Sequence, residues 1–334
     1  MPELRKDTIN GRWVIIAVEE GRHPADFDVE PHVSKGGGDK CPFCYGNEDK
    51  TPTEIYAHRV GGTKPNTPGW STRVVPNKFP ALRIEGELNR MGVGLYDVMN
   101  GIGAHEVIIE TPDHEKSLAD LSDSDVEKVI WAYRDRSIDL RGDKRFKYIL
   151  IFRNYGESAG ASLEHPHSQL IALPAVPIIV NEELKGSENY FEYRERCVFC
   201  DMISQELQET ERLVTENRSF VSFTPFASRF PFETWIIPKE HCADFSHINK
   251  DQVIDLARIL REVLLRIKNT LRDTSYNFII HTSPVEDRER DDYHWHIEIM
   301  PILFSVAGFE WGSGFYINPT TPEDAAMCLR EAKI

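Results

Sequence analysis

The stretch Glu164-His165-Pro166-His167-Ser168-Gln169-Leu170 sets two imidazoles two positions apart, with a primary amide two positions further on. In an extended chain residues i, i+2 and i+4 share a face, so His165, His167 and Gln169 fall on one side. A neutral imidazole attacks phosphorus when its second ring nitrogen donates to a carbonyl or carboxylate, which fixes the tautomer and steadies the cationic intermediate. An uncharged amide beside it can hold a phosphoryl oxygen as charge redistributes. His167 is therefore the candidate nucleophile and Gln169 its phosphate-directed partner. The preceding residues, Asn154 to Ser162, are small and hydroxyl-bearing, with backbone amides accessible to a phosphate. Ser158 and Ser162 are the candidate contacts, a plain turn being the alternative.

Four of the six cysteines form two C-x-x-C pairs, Cys41/Cys44 and Cys197/Cys200, while Cys242 and Cys328 read as small buried hydrophobes. With no secretory leader in view, such pairs point to metal or redox chemistry rather than to a disulfide framework. A tetrahedral zinc accepts two thiolates and two imidazoles. One site is then Cys41, Cys44, His114 and His165, and a second is Cys197, Cys200, His241 and His294, giving two zinc ions per chain. A redox dithiol would not need matched histidines downstream, and one all-cysteine site joining both pairs leaves them unexplained.

Those ligands belong to an internal repeat. "HEVIIETPDH" ends at His114 and "FETWIIPKEH" at His241, and each is followed eight residues later by a helix start, Ser122 with Asp125 and Asn249 with Gln252. Val126, Val129, Ile130 and Tyr133 mark the apolar face of the first helix; Val253, Leu256, Ala257, Leu260, Leu264 and Ile267 mark that of the second. Apolar strands follow, "KYILIF" and "YNFIIH". The offset, 127 residues for the terminal histidines and 129 for these strands, then carries His165 to His294, His167 to His296 and Gln169 to Glu298 at 129. A carboxylate at 298 would repel phosphate, so the first half keeps the chemistry and His296 is a structural remnant. The spacing predicts an α+β fold of two tandem halves, 1–185 and 186–334, built of antiparallel sheets with flanking helices. "RIEGELNRMGVGLYDVMNGIGA" reads as a Gly-rich loop and "SKGGGDK" as a flexible connection.

Composition bounds the partners. At 334 residues, 40 % hydrophobic and 28 % charged, the chain is that of a soluble globular protein able to bury two ordinary cores. A net charge of -15 repels a polyanion, and no basic stripe interleaves with aromatics, which argues against nucleic acid. No run approaches the roughly 18 apolar residues of a membrane span, and the N-terminus lacks an apolar leader, so the expectation is a cytoplasmic protein.

"HPHSQ" preceded by "GAS", together with "CPFC", "TPDH" and "HWHIEIMP", is similar to the galactose-1-phosphate uridylyltransferase family of the histidine triad superfamily, over nearly the whole chain. The resemblance implies histidine-triad-like halves and a ping-pong transfer. In it His167 attacks the α-phosphorus of a UDP-sugar, releases a sugar 1-phosphate and passes the nucleotidyl group to a second sugar 1-phosphate. Gln169 matches the phosphate-binding glutamine, and Cys41, Cys44, His114 and His165 match zinc ligands. Asn77 and Asn154 match nucleotide-contacting positions, Glu310 lies in the sugar-contacting segment, and a homodimer is implied. Hydrolytic relatives carry a third histidine where this chain has Gln169, which fits transfer. Departures touch the substrate: Ser168 stands where glycine is typical, Lys78 where some relatives have aspartate, and Phe304 and Tyr316 where lysine and glutamine are common. "GASLEHPHSQ" and "GFEWGSGFYINP" are also similar to a plant ADP-glucose phosphorylase branch, in which phosphate accepts an AMP group. A third reading, a zinc-stabilised nucleotide-binding module without turnover, would not need the unblocked imidazole at His167.

Overall fold

The computed structural model describes residues 1–17, 21–28 and 36–334. In chain order the strands are β1 (Glu3–Lys6), β2 (Trp13–Ile16), β3 (Tyr56–Arg59), β4 (Trp70–Pro76), β5 (Met91–Val93), β6 (Tyr96–Val98), β7 (Ala104–Ile109), β8 (Tyr148–Tyr155), β9 (His167–Leu173), β10 (Leu213–Glu216), β11 (Phe220–Phe223), β12 (Thr234–Pro238), β13 (Tyr276–His281), β14 (His296–Pro301) and β15 (Tyr316–Asn318). The helices are α1 (Asp123–Leu140), α2 (Ile178–Arg194), α3 (Val198–Glu209), α4 (Lys250–Thr270), α5 (Gly308–Ser313) and α6 (Pro322–Glu331).

Ten strands form one antiparallel sheet in the order β10-β11-β12-β14-β13-β8-β9-β7-β4-β3. The order reads the same from either end once the halves are matched: β7, β8 and β9 of the first correspond to β12, β13 and β14 of the second. The sheets of the two halves merge where β8 meets β13, Tyr155 opposite Tyr276 and Ile151 opposite Ile280. An unpaired strand edge is a template for another strand, and here each half covers the other's. Asn277 adds a side-chain bond across the seam, Nδ2 donating to Asn154 Oδ1 at 2.8 Å.

Alternation along the strands divides the sheet's work. One face receives α1 and α4, which start as the capping residues require: Ser122 accepts from the Asp125 N–H and Asn249 from that of Gln252. Val126, Val129 and Tyr133 of α1 join Leu256, Leu260 and Val263 of α4, Ile108, Ile151 and Ile280 in a single core. The other face carries His167, Gln169, Val75 and Val107, and the first C-x-x-C pair packs there.

The helix-side face also buries a polar network directly behind the H-x-H strand. Arg153 Nε donates to Glu110 Oε1 at 2.9 Å, and its Nη1 donates to Tyr276 Oη at 2.6 Å. Ser168 donates to the same carboxylate oxygen and lies 2.5 Å from Tyr133 Oη. Ser168 is thus occupied on the face away from His167, which gives the hydroxyl a structural partner. Arg153 ties the first half to Tyr276 of the second.

The 83–104 segment departs from the loop reading, because it holds the β5–β6 hairpin, Met91 opposite Val98 and Val93 opposite Tyr96. Gly94, at φ 61°, takes the left-handed backbone its turn requires. Of "SKGGGDK", Ser34 and Lys35 lie outside the described residues. The division after residue 185 falls inside α2.

Removing one partner of a buried ion pair leaves an uncompensated charge. Arg153→Met should therefore cost about 3 to 5 kcal/mol of stability in denaturant unfolding; a loss below about 1 kcal/mol, the scale of an exposed pair, would contradict the place given to Glu110–Arg153.

Candidate active site and metal clusters

The knuckle of Cys41 and Cys44, the turn after β7 that ends at His114, and His165 just before β9 converge on one point, their ligating atoms all within 4.8 Å of one another. Cys41 Sγ and Cys44 Sγ each lie 3.6 Å from His165 Nδ1, Cys44 Sγ lies 3.4 Å from His114 Nδ1, and the two Nδ1 atoms are 3.2 Å apart. A tetrahedral ion at about 2.3 Å from sulfur and about 2.05 Å from nitrogen sets S···N edges of about 3.6 Å and an N···N edge of about 3.4 Å. His165 Nε2 donates to the Thr111 carbonyl at 2.7 Å, so its Nδ1 carries a lone pair. Burial lowers the His165 pKa to about 4 and keeps the ring neutral, as a ligand must be. These four residues fit a metal ion.

The second half repeats the arrangement with Cys197, Cys200, His241 and His294. Cys200 Sγ lies 3.4 Å from His241 Nδ1 and 3.7 Å from His294 Nδ1. Nε2 of His241 donates to the Arg290 carbonyl and that of His294 to the Glu240 carbonyl, aiming both Nδ1 lone pairs inward. The hydrogen bond from Cys197 pulls the Cys200 thiol down to about 3, against burial, with His241 and His294 adding to it. Each cysteine pair thus has its own histidines.

Glu183 is not part of either cysteine cluster. It joins His281, His296 and Glu298 in a third, fully buried cluster that could also hold a metal; Glu182 enters no cluster among the described residues. Helix α2 carries Glu183 to the sheet, where it accepts from Tyr293 Oη and pairs with His281 Nδ1, both at 3.1 Å. Burial disfavours a charged His281, but Glu183 and Glu298 outweigh it and push its pKa up to about 10. Arg229 neutralises Glu298 at 2.6 Å and Glu233 at 3.0 Å.

His167 opens on a cavity of about 400 Å³ that Phe43, Val75, Asn77, Lys78, Ser162 and Gln169 help to line. Its Nδ1–H donates to the His165 carbonyl at 2.8 Å, leaving the Nε2 lone pair available. Burial lowers its pKa, so the ring is unprotonated at neutral pH. His296 makes the equivalent bond to the His294 carbonyl at 3.1 Å. It is, however, sandwiched between Trp235 and His281, ring centroids 4.8 Å away on each side, with no accessible surface. Of two copies with one tautomer, only His167 reaches a cavity.

The other expected residues scatter. Asn77 and Ser162 line the cavity. Asn154 sits on β8 two positions past Phe152, the partner of Gln169, and so on the same face of the sheet. Ser158 is exposed in a short turn, and Glu310 caps α5 by accepting the Ala307 N–H; neither lines this cavity. Two residues had no sequence signal: His105, bonded to Gln169, and Gly37, packed on the first metal cluster.

A Cβ at Gly37 would fall 2.8 Å from His114 Cγ and 2.9 Å from Cys44 Sγ. Gly37→Ala should shift two ligands and weaken metal retention against a chelator about tenfold or more; unchanged retention in metal analysis would show that this backbone approach is irrelevant to the cluster.

Residues 41–177 match the family model for the galactose-1-phosphate uridyl transferase N-terminal domain, and residues 183–330 that for its C-terminal domain. An ADP-glucose phosphorylase of Arabidopsis thaliana is 38% identical over 100% of this chain and 93% of its own length. A galactose-1-phosphate uridylyltransferase of Thermotoga maritima is 28% identical, covering 100% and 99%. The crystal structure of an Arabidopsis thaliana ADP-glucose phosphorylase with bound ADP-glucose superposes with a TM-score of 0.84 at 37% identity, over 100% of both chains. A matching motif set, a doubled fold and an imidazole aimed into a cavity converge with these likenesses: the chain belongs to the galactose-1-phosphate uridyl transferase family and is a nucleotidyltransferase.

Proposed function

We propose that this chain moves a nucleotidyl group from a nucleoside diphosphate hexose to a phosphate-bearing acceptor through a covalent intermediate on His167. The observation that carries it is the His167 Nδ1–H bond to the His165 carbonyl, which leaves Nε2 facing the cavity beside Gln169. Nε2 attacks the α-phosphorus, an N–P bond forms, and the bond to the bridging oxygen breaks. The hexose 1-phosphate departs with that electron pair. A phosphate oxygen of the acceptor then attacks the same phosphorus and expels the imidazole. The His165 carbonyl steadies the ring while it carries positive charge, and Gln169 donates to a phosphoryl oxygen that gains charge in flight. Asn77, Asn154 and Ser162 are proposed to hold the nucleotide, Ser158 and Glu310 to act at the edges of the site.

Two donors are in view. UDP-glucose with a hexose 1-phosphate such as galactose 1-phosphate as acceptor is the reading of the family as a whole. ADP-glucose with inorganic phosphate is favoured by one observation, the 38% identity to the plant phosphorylase against 28% to the bacterial uridylyltransferase, each over the full chain.

The proposal includes two zinc ions per chain, one in each cysteine-histidine cluster. They hold the knuckles against the sheet, and when bound zinc supplies folding energy there rather than a reacting group. It also includes two halves, 1–185 and 186–334, a cytoplasmic location and a homodimer. Among the described residues no helix is long and apolar enough to cross a membrane. The exposed Met91, Val93, Leu95 and Tyr96 of the β5–β6 hairpin and Phe79 beside the cavity support self-association.

A ping-pong enzyme exchanges labelled glucose 1-phosphate into its sugar nucleotide with no second acceptor present. Wild type should catalyse this exchange with ADP-glucose or UDP-glucose, the active nucleotide identifying the base, and His167→Asn should lower it at least about 10³-fold. No exchange with either nucleotide, or an active His167→Asn protein, would end the covalent reading.

A further inference from the structure

His105 lies on β7 two residues before Val107, the partner of Gln169, and therefore on the face that carries Gln169. It does not itself line the cavity, whereas Asn77 and Gln169 do. The Ala81 backbone N–H donates to His105 Nδ1 at 3.2 Å. A backbone N–H offers no lone pair, so Nδ1 must carry one and the ring proton resides on Nε2. That Nε2–H donates to Gln169 Oε1, 2.8 Å away. The amide's oxygen is thereby committed, and its NH2 hydrogens are the end left for the cavity.

Asn77 is fixed by the same logic. Its Oδ1 accepts the Phe79 N–H at 2.9 Å, and its Nδ2 stands 3.1 Å from His105 Nε2. Two donors cannot bond to each other, so the Asn77 amide hydrogens are likewise directed to an acceptor elsewhere.

We infer that His105 is a positioning residue that locks Gln169 as a hydrogen-bond donor to the phosphoryl oxygens of a nucleoside diphosphate, beside an Asn77 amide that the Phe79 N–H holds in the same sense. The inference rests on the reading that this cavity holds those phosphates for attack by His167. The oxygen and NH2 ends of a primary amide are nearly the same size, so an unclamped glutamine flips at little cost. The flipped form sets a carbonyl oxygen against an anionic phosphate. The chain Ala81 N–H to His105 to Gln169 removes that form before substrate arrives, so the donor needs no reorganisation during reaction. The repeat offered no warning, because the residue 127 positions on from His105 is Phe232.

Steady-state transfer kinetics of H105A, H105N and H105Q, each alone and combined with Q169A, test this. A glutamine at 105 places an NH2 where His Nε2–H stands, while asparagine matches only Nδ1 and falls short of Gln169. H105A and H105N should lose about 10- to 100-fold in kcat with a smaller change in KM. H105Q should stay within about threefold of wild type, and the H105A loss should vanish in the Q169A background. Equal losses in H105Q and H105N, or a full H105A loss persisting beside Q169A, would overturn the clamp. Should thermal melts show that H105A does not fold, the pair H105Q and H105N decides alone. A wild-type protein without transfer overturns both this inference and the function it rests on; an active wild type with uncoupled His105 overturns the inference only.

Discussion

The bond from His167 Nδ1 to the His165 carbonyl is the contact that the rest of the first half serves. It needs three things at once: a strand in which residues two apart share a face, a fixed backbone at His165, and a ring kept neutral. The cysteine-histidine cluster supplies the second by gathering the His165 ring among its side chains, with Thr111 holding the far nitrogen. Burial against Phe43, whose ring centre is 5.4 Å from that of His167, supplies the third. Behind the strand, Glu110, Arg153, Ser168 and Tyr133 form the polar backing on which the sheet rests. A rigid shell of this kind is what nucleophilic catalysis by a side chain demands, since small misplacements are costly in rate.

The second half shows what the same scaffold becomes when its histidine is closed off, since the cavity of about 240 Å³ there reaches Glu298 and Trp235 but not His296. His296 keeps the tautomer-fixing bond, yet Trp235 and His281 cover both faces of its ring. Glu298 replaces the amide and pairs with Arg229, and Glu183 arrives from α2 to pair with His281. A position that lines the His167 cavity in one copy is thus tied into a set of buried ion pairs in the other. Such a set is unfavourable to break and acceptable to keep, which suits a structural role. The duplicated half completes the sheet through β8 and β13 and sends Tyr276 to Arg153.

Much of this was written in local sequence. The ordered set of C-x-x-C, terminal His and H-x-H, repeated at nearly constant offset, placed both cysteine-histidine clusters, because metal ligation restricts residue type strongly. Helix caps and apolar spacing placed α1 and α4. What was illegible depends on distance across the fold. The third cluster draws Glu183 from a helix and His281 from another strand, with no motif linking them. Gly37 matters only because His114 and Cys44 come close to it. His105 acquires its tautomer from the backbone N–H of Ala81, a donor that every residue but proline carries and that no sequence pattern marks. The Gly-rich segment hid a hairpin because its strands are three residues each, too short for alternation to register.

A covalent nucleotidyl-histidine at His167 adds a defined mass to the chain. Intact-protein mass spectrometry after brief incubation with ADP-glucose or UDP-glucose and no acceptor, followed by peptide mapping, reads it. One nucleoside monophosphoryl group per chain is expected, on the peptide that contains His167 and absent from His167→Asn. An adduct on any other residue, or none while the sugar nucleotide is being consumed, would contradict it.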